Sequence, residues 1–118
     1  MQRVDDFPVV SALLDFRVVE DLSQVLDEAT RHELLESFAK DVSDLIEGLR
    51  AARAEEAASL RHALMGVTSM IGAKALHDLV EGRAAQAEDL RRCLAQTVQA
   101  LSMVFTSAAT QEGQQRAG

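Results

Sequence analysis

Tryptophan and tyrosine are absent from this 118-residue chain, four phenylalanines are its only aromatics, and the single proline, Pro8, lies near the start. Hydrophobic residues still make up 47%, so a core is available, but it must be built from Leu, Ala and Val. That composition favours packed helices over a β-sandwich. Beyond Pro8 no residue forces a helix to break. The lone cysteine, Cys93, excludes an internal disulfide and fits a reducing compartment. Positive charge is scarce: 12 Lys and Arg against 19 Asp and Glu leave a net charge of −7, which argues against a nucleic-acid phosphate backbone as partner. The excess of acid reads first as solubility. No phosphate loop of the form G-x-x-x-x-G-K is present, so neither a nucleotide pocket nor self-phosphorylation from ATP is expected. No charged n-region followed by an apolar stretch opens the chain, so a secretory signal is not expected either.

The length suits one domain. Residues 1–14 read as a leader or linker able to pack on the domain, 15–112 as the domain itself, and 113–118 as a disordered tail without an apolar anchor. A short helix is predicted over Asp15 to Leu26, with Val18, Val19, Leu22, Val25 and Leu26 as its apolar stripe. Asp27, or Thr30 with Glu33 as a capping box, then starts a second helix. In it Leu34, Leu35, Phe38, Val42, Leu45, Ile46 and Leu49 share one face. Gly48 is tolerated there at a modest cost. After a loop at Arg53–Ala54, a third helix is predicted from Glu55 to Ile71 and ends at Gly72. A fourth covers about Ala73 to Ala85. The last starts near Ala87–Glu88 and buries Leu90, Leu94, Val98, Leu101, Val104 and Phe105. From Cys93 to Gln111 no residue is charged, which is long enough to span a bilayer. Yet Gln96, Thr97, Gln99, Ser102, Thr106 and Ser107 recur through it, as in an amphipathic helix of a folded domain.

The third helix carries the informative histidine. With Leu60 as the origin of a helical wheel, Ala57, Leu64, Val67 and Ile71 fall within about 60° of it. His62 falls about 180° from the centre of that stripe, so it is expected to point at solvent. Gly66 and Ser69 share its outward strip, with Ser59 and Met65 beside it. Taken alone, an exposed histidine is more often a solvated side chain than a site. Gly66 changes the balance. A glycine inside a helix costs about 1 kcal/mol relative to alanine, and an outward glycine is not repaid by close packing. It leaves an open patch one turn from the imidazole. The other histidines read less well: His32 as a surface residue, His77 with Asp78 as a solvated edge. Three histidines and a distant cysteine lack the short ligand spacing of a zinc site, and Cys93 reads as a packing residue.

The stretch His62-Ala-Leu64-Met-Gly66-Val-Thr68-Ser-Met-Ile71-Gly72-Ala73-Lys-Ala-Leu76 resembles the signature of histidine-containing phosphotransfer (HPt) domains, found in the hybrid sensor kinases of bacterial phosphorelays. That signature is written H-x-L-K-G-x-S, an apolar residue, Gly-Ala and Leu. The match covers His62, Leu64, Gly66, Thr68 for the small hydroxyl residue, Ile71, Gly72, Ala73 and Leu76, and the order of helices agrees from about Asp15 to Gln111. The resemblance implies an all-α fold, an antiparallel four-helix bundle with a short additional N-terminal helix. It implies a phosphorelay carrier that accepts a phosphoryl group on His62 from a receiver-domain aspartyl phosphate and exchanges it with a response regulator. Ser59, Arg61, Met65, Gly66 and Ser69 are then the expected docking residues. Partners are a receiver domain and a hybrid sensor kinase; the chain needs no cofactor, since the receiver supplies Mg²⁺. A monomer in the cytoplasm is expected, either freestanding or as the C-terminal domain of a membrane-bound kinase.

Free imidazole titrates near pH 6.5, so a neutral, nucleophilic ring is available at pH 7. Phosphoryl transfer depends mainly on positioning and charge stabilisation, so the carrier needs only an exposed, oriented histidine. Two departures from the signature stand out. Met65 occupies the lysine position, where a cation would balance phosphoryl charge, and Arg61 and Lys74 are the candidate replacements. Arg83 falls where the fourth helix is often apolar. Met65 also motivates an alternative, an HPt-like module that binds a receiver or kinase without carrying phosphate. A self-associating helical bundle is the third reading.

Overall fold

A computed structural model describes residues 8–117 of the backbone and the side chains of residues 10–110. Among the described residues the chain is all-helical, as its Leu-, Ala- and Val-rich composition leads one to expect, and contains no strand. Six helices follow one another: α1 (Pro8–Leu13), α2 (Phe16–Val25), α3 (Glu28–Ala51), α4 (Ala54–Ile71), α5 (Lys74–Gly82) and α6 (Ala87–Ala117). Helix α3 packs along α4 and α6, and α5 packs along the same two. The short α1 lies on α5 and α6, while α2 lies on α4 and α6. The core runs between them, with Phe38, Val42 and Ile46 meeting Leu64, Ile71, Leu76, Val80, Leu90 and Leu101.

The segment expected as a leader is partly core. Residues 1–7 lie outside the described residues, but Pro8 opens α1, where its missing N–H costs nothing. Val10 and Leu14 are 0% and 2% exposed, and Leu13 is buried with them. Each fully buried aliphatic side chain contributes about 1.5–3 kcal/mol. Against a total stability of about 5–15 kcal/mol, three such residues make this segment part of the fold.

The turn between α2 and α3 is built by two residues. Asp27 caps α3, its carboxylate accepting from the Thr30 amide at 2.8 Å; of the two starts open to the sequence, this is the one formed. Arg31, one turn later, is 1% exposed. Its Nη1 donates to the carbonyls of Ser23 at 2.8 Å and Leu26 at 2.7 Å. Those carbonyls end α2 and have no partner within their own helix, and a cation at a helix C-terminus is favourable. The pattern of apolar residues did not reveal this buried charge. It also placed Val25 on the α2 stripe, whereas Val25 is 81% exposed and Val19 and Ser23 face inward.

Two further boundaries differ from expectation. Helix α5 stops at Gly82 instead of Ala85, because Arg83 takes the left-handed conformation (φ 61°) and its amide closes on the Val80 carbonyl. Helix α6 continues to Ala117, where a disordered tail from 113 was expected. The uncharged stretch in α6 buries Leu94, Thr97, Ala100, Leu101, Val104 and Phe105. Among the described residues no helix is long and apolar enough to cross a membrane.

Candidate functional site

Helix α4 carries the candidate histidine and is fixed at both ends. At its start an acidic pair, Glu55 and Glu56, suits the helix dipole. Near the start, too, it packs on α3, where a Cβ on Gly48 would stand in ordinary contact with Leu60 Cδ1 at 3.4 Å. At its end Gly72 takes the left-handed conformation at φ 78°. The amides of Gly72 and Ala73 fold back to the carbonyls of Ser69 at 3.3 Å and Thr68 at 2.9 Å, the usual way of satisfying a helix C-terminus. The Gly72 carbonyl in turn accepts from the Asp15 amide at 2.8 Å, tying α4 to the start of α2. Ala73 is fully buried beside it. The Gly-Ala pair of the motif is therefore the joint that anchors the histidine helix.

On this rod the inner and outer faces fall as the helical wheel predicts. Leu64, Thr68 and Ile71 are buried, with Leu60 and Val67 half-buried behind them. His62 is exposed, and so are Ser59, Gly66 and Ser69. The His62 ring makes no hydrogen bond or ion pair with any described residue. A Cβ built on Gly66 would meet no atom within 4 Å. The glycine is not there to admit a neighbour from its own chain, and the space it leaves is open to the outside.

Two expected docking residues sit less openly. Met65 is half-buried and packs on the core, so its side chain covers apolar surface at the position where the signature carries a cation. Arg61 is also half-buried, about 100° around the helix from His62. Lys74 is exposed but lies past Gly72, beyond the end of α4. Neither cation stands on the His62 strip. Met70 does stand near it and is 63% exposed.

His77 departs from expectation. It is half-buried rather than a solvated edge, because its Nδ1 lies 3.1 Å from Thr68 Oγ1 and 3.3 Å from Ser69 Oγ. The ring thus ties α5 to the last turns of α4. Nothing in the spacing of His77 and Asp78 pointed to this, since the partners belong to another helix. His32 is exposed and pairs with Glu36 at 3.0 Å along its own helix. Cys93 is buried, its Sγ 3.9 Å from Thr97 Oγ1. Burial pushes its thiol pKa up, with the Thr97 hydroxyl acting in the opposite sense, which makes an unreactive packing residue. Among the described residues no group of three His, Cys, Asp or Glu is placed to hold a metal ion.

Neither a protein-family model, nor a curated protein, nor a solved structure matches the chain. The functional reading rests on the site itself.

Proposed function

We propose that the chain is an HPt-type phosphorelay carrier, in which His62 takes a phosphoryl group from the aspartyl phosphate of a receiver domain and passes it to a response regulator or back. One observation carries this reading: His62 stands exposed on helix α4, with Gly66 one turn away leaving open space where any other residue would place a side chain. Helices α3, α4, α5 and α6, each packed on the next and α6 on α3, support an antiparallel four-helix bundle, with α1 and α2 as the N-terminal addition.

The transfer asks little of this chain. The Nε2 lone pair attacks phosphorus; an N–P bond forms as the P–O bond to the aspartate breaks, and the carboxylate leaves with the bonding pair. Positioning and electrostatics dominate such a step. The receiver contributes Mg²⁺ and the acidic cluster, the chain contributes the exposed imidazole. A monomer working in the cytoplasm beside a hybrid sensor kinase fits that division of labour.

The test is transfer of label. Purified receiver domains charged with radiolabelled acetyl phosphate are mixed with the protein, and acid-labile label is expected on the parent but not on His62→Gln. A parent that gains no label from any active receiver overturns the carrier reading. The half-buried Met65 in place of a cation favours the second reading, a module that binds a receiver without accepting phosphate. In that case His62→Gln binds and signals as the parent does.

A further inference from the structure

The hydrogen bonds around His77 bear on which of its ring nitrogens holds the proton. Thr68 Oγ1 lies 2.8 Å from the Leu64 carbonyl and 3.1 Å from the Met65 carbonyl. Carbonyls only accept, so the single hydroxyl proton of Thr68 has acceptors on its own helix, the nearer at 2.8 Å. With the proton there, the 3.1 Å contact from Thr68 Oγ1 to His77 Nδ1 can be a hydrogen bond only if Nδ1 donates. The Ser69 hydroxyl, 3.3 Å from the same nitrogen, shares that proton. With the Thr68 proton on its own helix, a neutral His77 is the Nδ1–H tautomer, with its lone pair on Nε2. Nε2 has no partner among the described residues and is not a buried atom.

The position of this lone pair matters because Ser69 lies on the His62 strip. Seven residues separate the two, which is two turns or about 10 Å along α4. A partner patch of standard size, about 800 Å² on each side, spans roughly 30 Å. A protein seated over His62 and Gly66 extends as far as His77.

We propose that His77 is a specificity-determining contact of the phosphotransfer face: its Nε2 is a pre-oriented hydrogen-bond acceptor for an N–H or O–H donor on the docked receiver. The inference rests on the carrier reading above and names a partner contact for the same face. The Thr68 and Ser69 hydroxyls hold the ring before docking, so little rotamer freedom is lost on binding. His77 touches the partner, not the reacting phosphoryl group.

Two measurements test it. In the isotope-labelled free protein, long-range nitrogen–proton NMR correlations of the His77 ring should show a protonated Nδ1 and a bare Nε2 at a pH where the ring is neutral; the opposite tautomer overturns the proposal outright. The second test uses the receiver domain that charges His62 fastest. His77→Asn keeps a donor near the Nδ1 position and lacks the Nε2 acceptor, whereas His77→Gln carries an acceptor oxygen out to where Nε2 stands. Transfer to the Asn variant should show a KM raised roughly three- to tenfold, as for one lost hydrogen bond, with kcat unchanged. The Gln variant should stay within about twofold of the parent, even though it loses the tie to Thr68 and melts lower. An Asn variant that transfers like the parent, or rates that follow melting temperature across both variants, overturn the docking role alone. A parent that is never charged by a receiver overturns the carrier reading and this inference with it.

Discussion

The Asp15 amide donates to the Gly72 carbonyl at 2.8 Å, so the residue just before α2 holds the residue just beyond the histidine helix. A Cβ on Gly72 would stand 3.0 Å from Val19 Cγ2 and 3.1 Å from the Asp15 oxygen. It would also place a side chain in the left-handed region, itself a cost of about 1 kcal/mol or more. Gly72→Ala is expected to lower stability by about 2–4 kcal/mol, measured by urea unfolding. A loss within about 0.5 kcal/mol would show that the joint is loose.

Gly66 should behave in the opposite way. Its added Cβ meets nothing and its backbone is helical, so Gly66→Ala should raise stability by about 0.5–1 kcal/mol. The larger Gly66→Leu fills the space beside His62 and should slow label transfer at least tenfold while the fold persists by circular dichroism. Undiminished transfer with leucine in place would mean that no partner closes over this patch.

Arg31 answers to stability alone. Replacing it by methionine keeps most of the volume but removes the charge-assisted bonds to the Ser23 and Leu26 carbonyls. A loss of about 2–4 kcal/mol is expected. His62 lies on another helix, so label transfer by the folded fraction should be unchanged. A variant as stable as the parent would show that the α2 terminus finds its partners elsewhere.

The Asp27 cap predicts a pH dependence. The Thr30 hydrogen bonds, side-chain and backbone, hold its carboxyl below the ordinary carboxylate value. A depressed folded-state pKa means that the cap stabilises fully above the unfolded carboxyl pKa of about 3.9, and that this is lost as pH falls through the folded value. Asp27→Ala should therefore melt below the parent at pH 7, and the two melting curves should converge as pH drops below about 4. A gap that stays constant down to pH 2.5 would assign the effect to something other than the carboxylate.

How far the molecule could be read beforehand depends on the range of each interaction. The outward strip of α4 was legible because helical geometry alone relates His62, Gly66 and Ser69, and one buried stripe, centred on Leu64, sets the direction. Gly72 was legible as a helix end for the same local reason. That its carbonyl meets Asp15 was not, since the two are far apart in sequence. The spacing of apolar residues also ranked Val25 with Val19 on α2. It failed there because α2 is one short helix lying across α4 and α6, and only its docking angle decides which apolar residues are covered.

Arg31 and His77 show the same limit for polar groups. Arginine and histidine are ordinarily surface residues, and no periodicity marks an exception. Each becomes buried or half-buried because acceptors on a neighbouring helix stand where its nitrogens can reach.

By itself the order of residues determined that this chain is helical, where α4 begins and ends, and that one imidazole faces away from the apolar stripe, because backbone hydrogen bonding and side-chain periodicity act within a few residues. Only the tertiary structure decided that Val10, Leu13 and Leu14 belong to the core, that a guanidinium closes the α2–α3 turn, and that the Thr68 and Ser69 hydroxyls meet the His77 ring. Those outcomes depend on groups brought together from distant parts of the chain, and their energies exist only once the helices have packed.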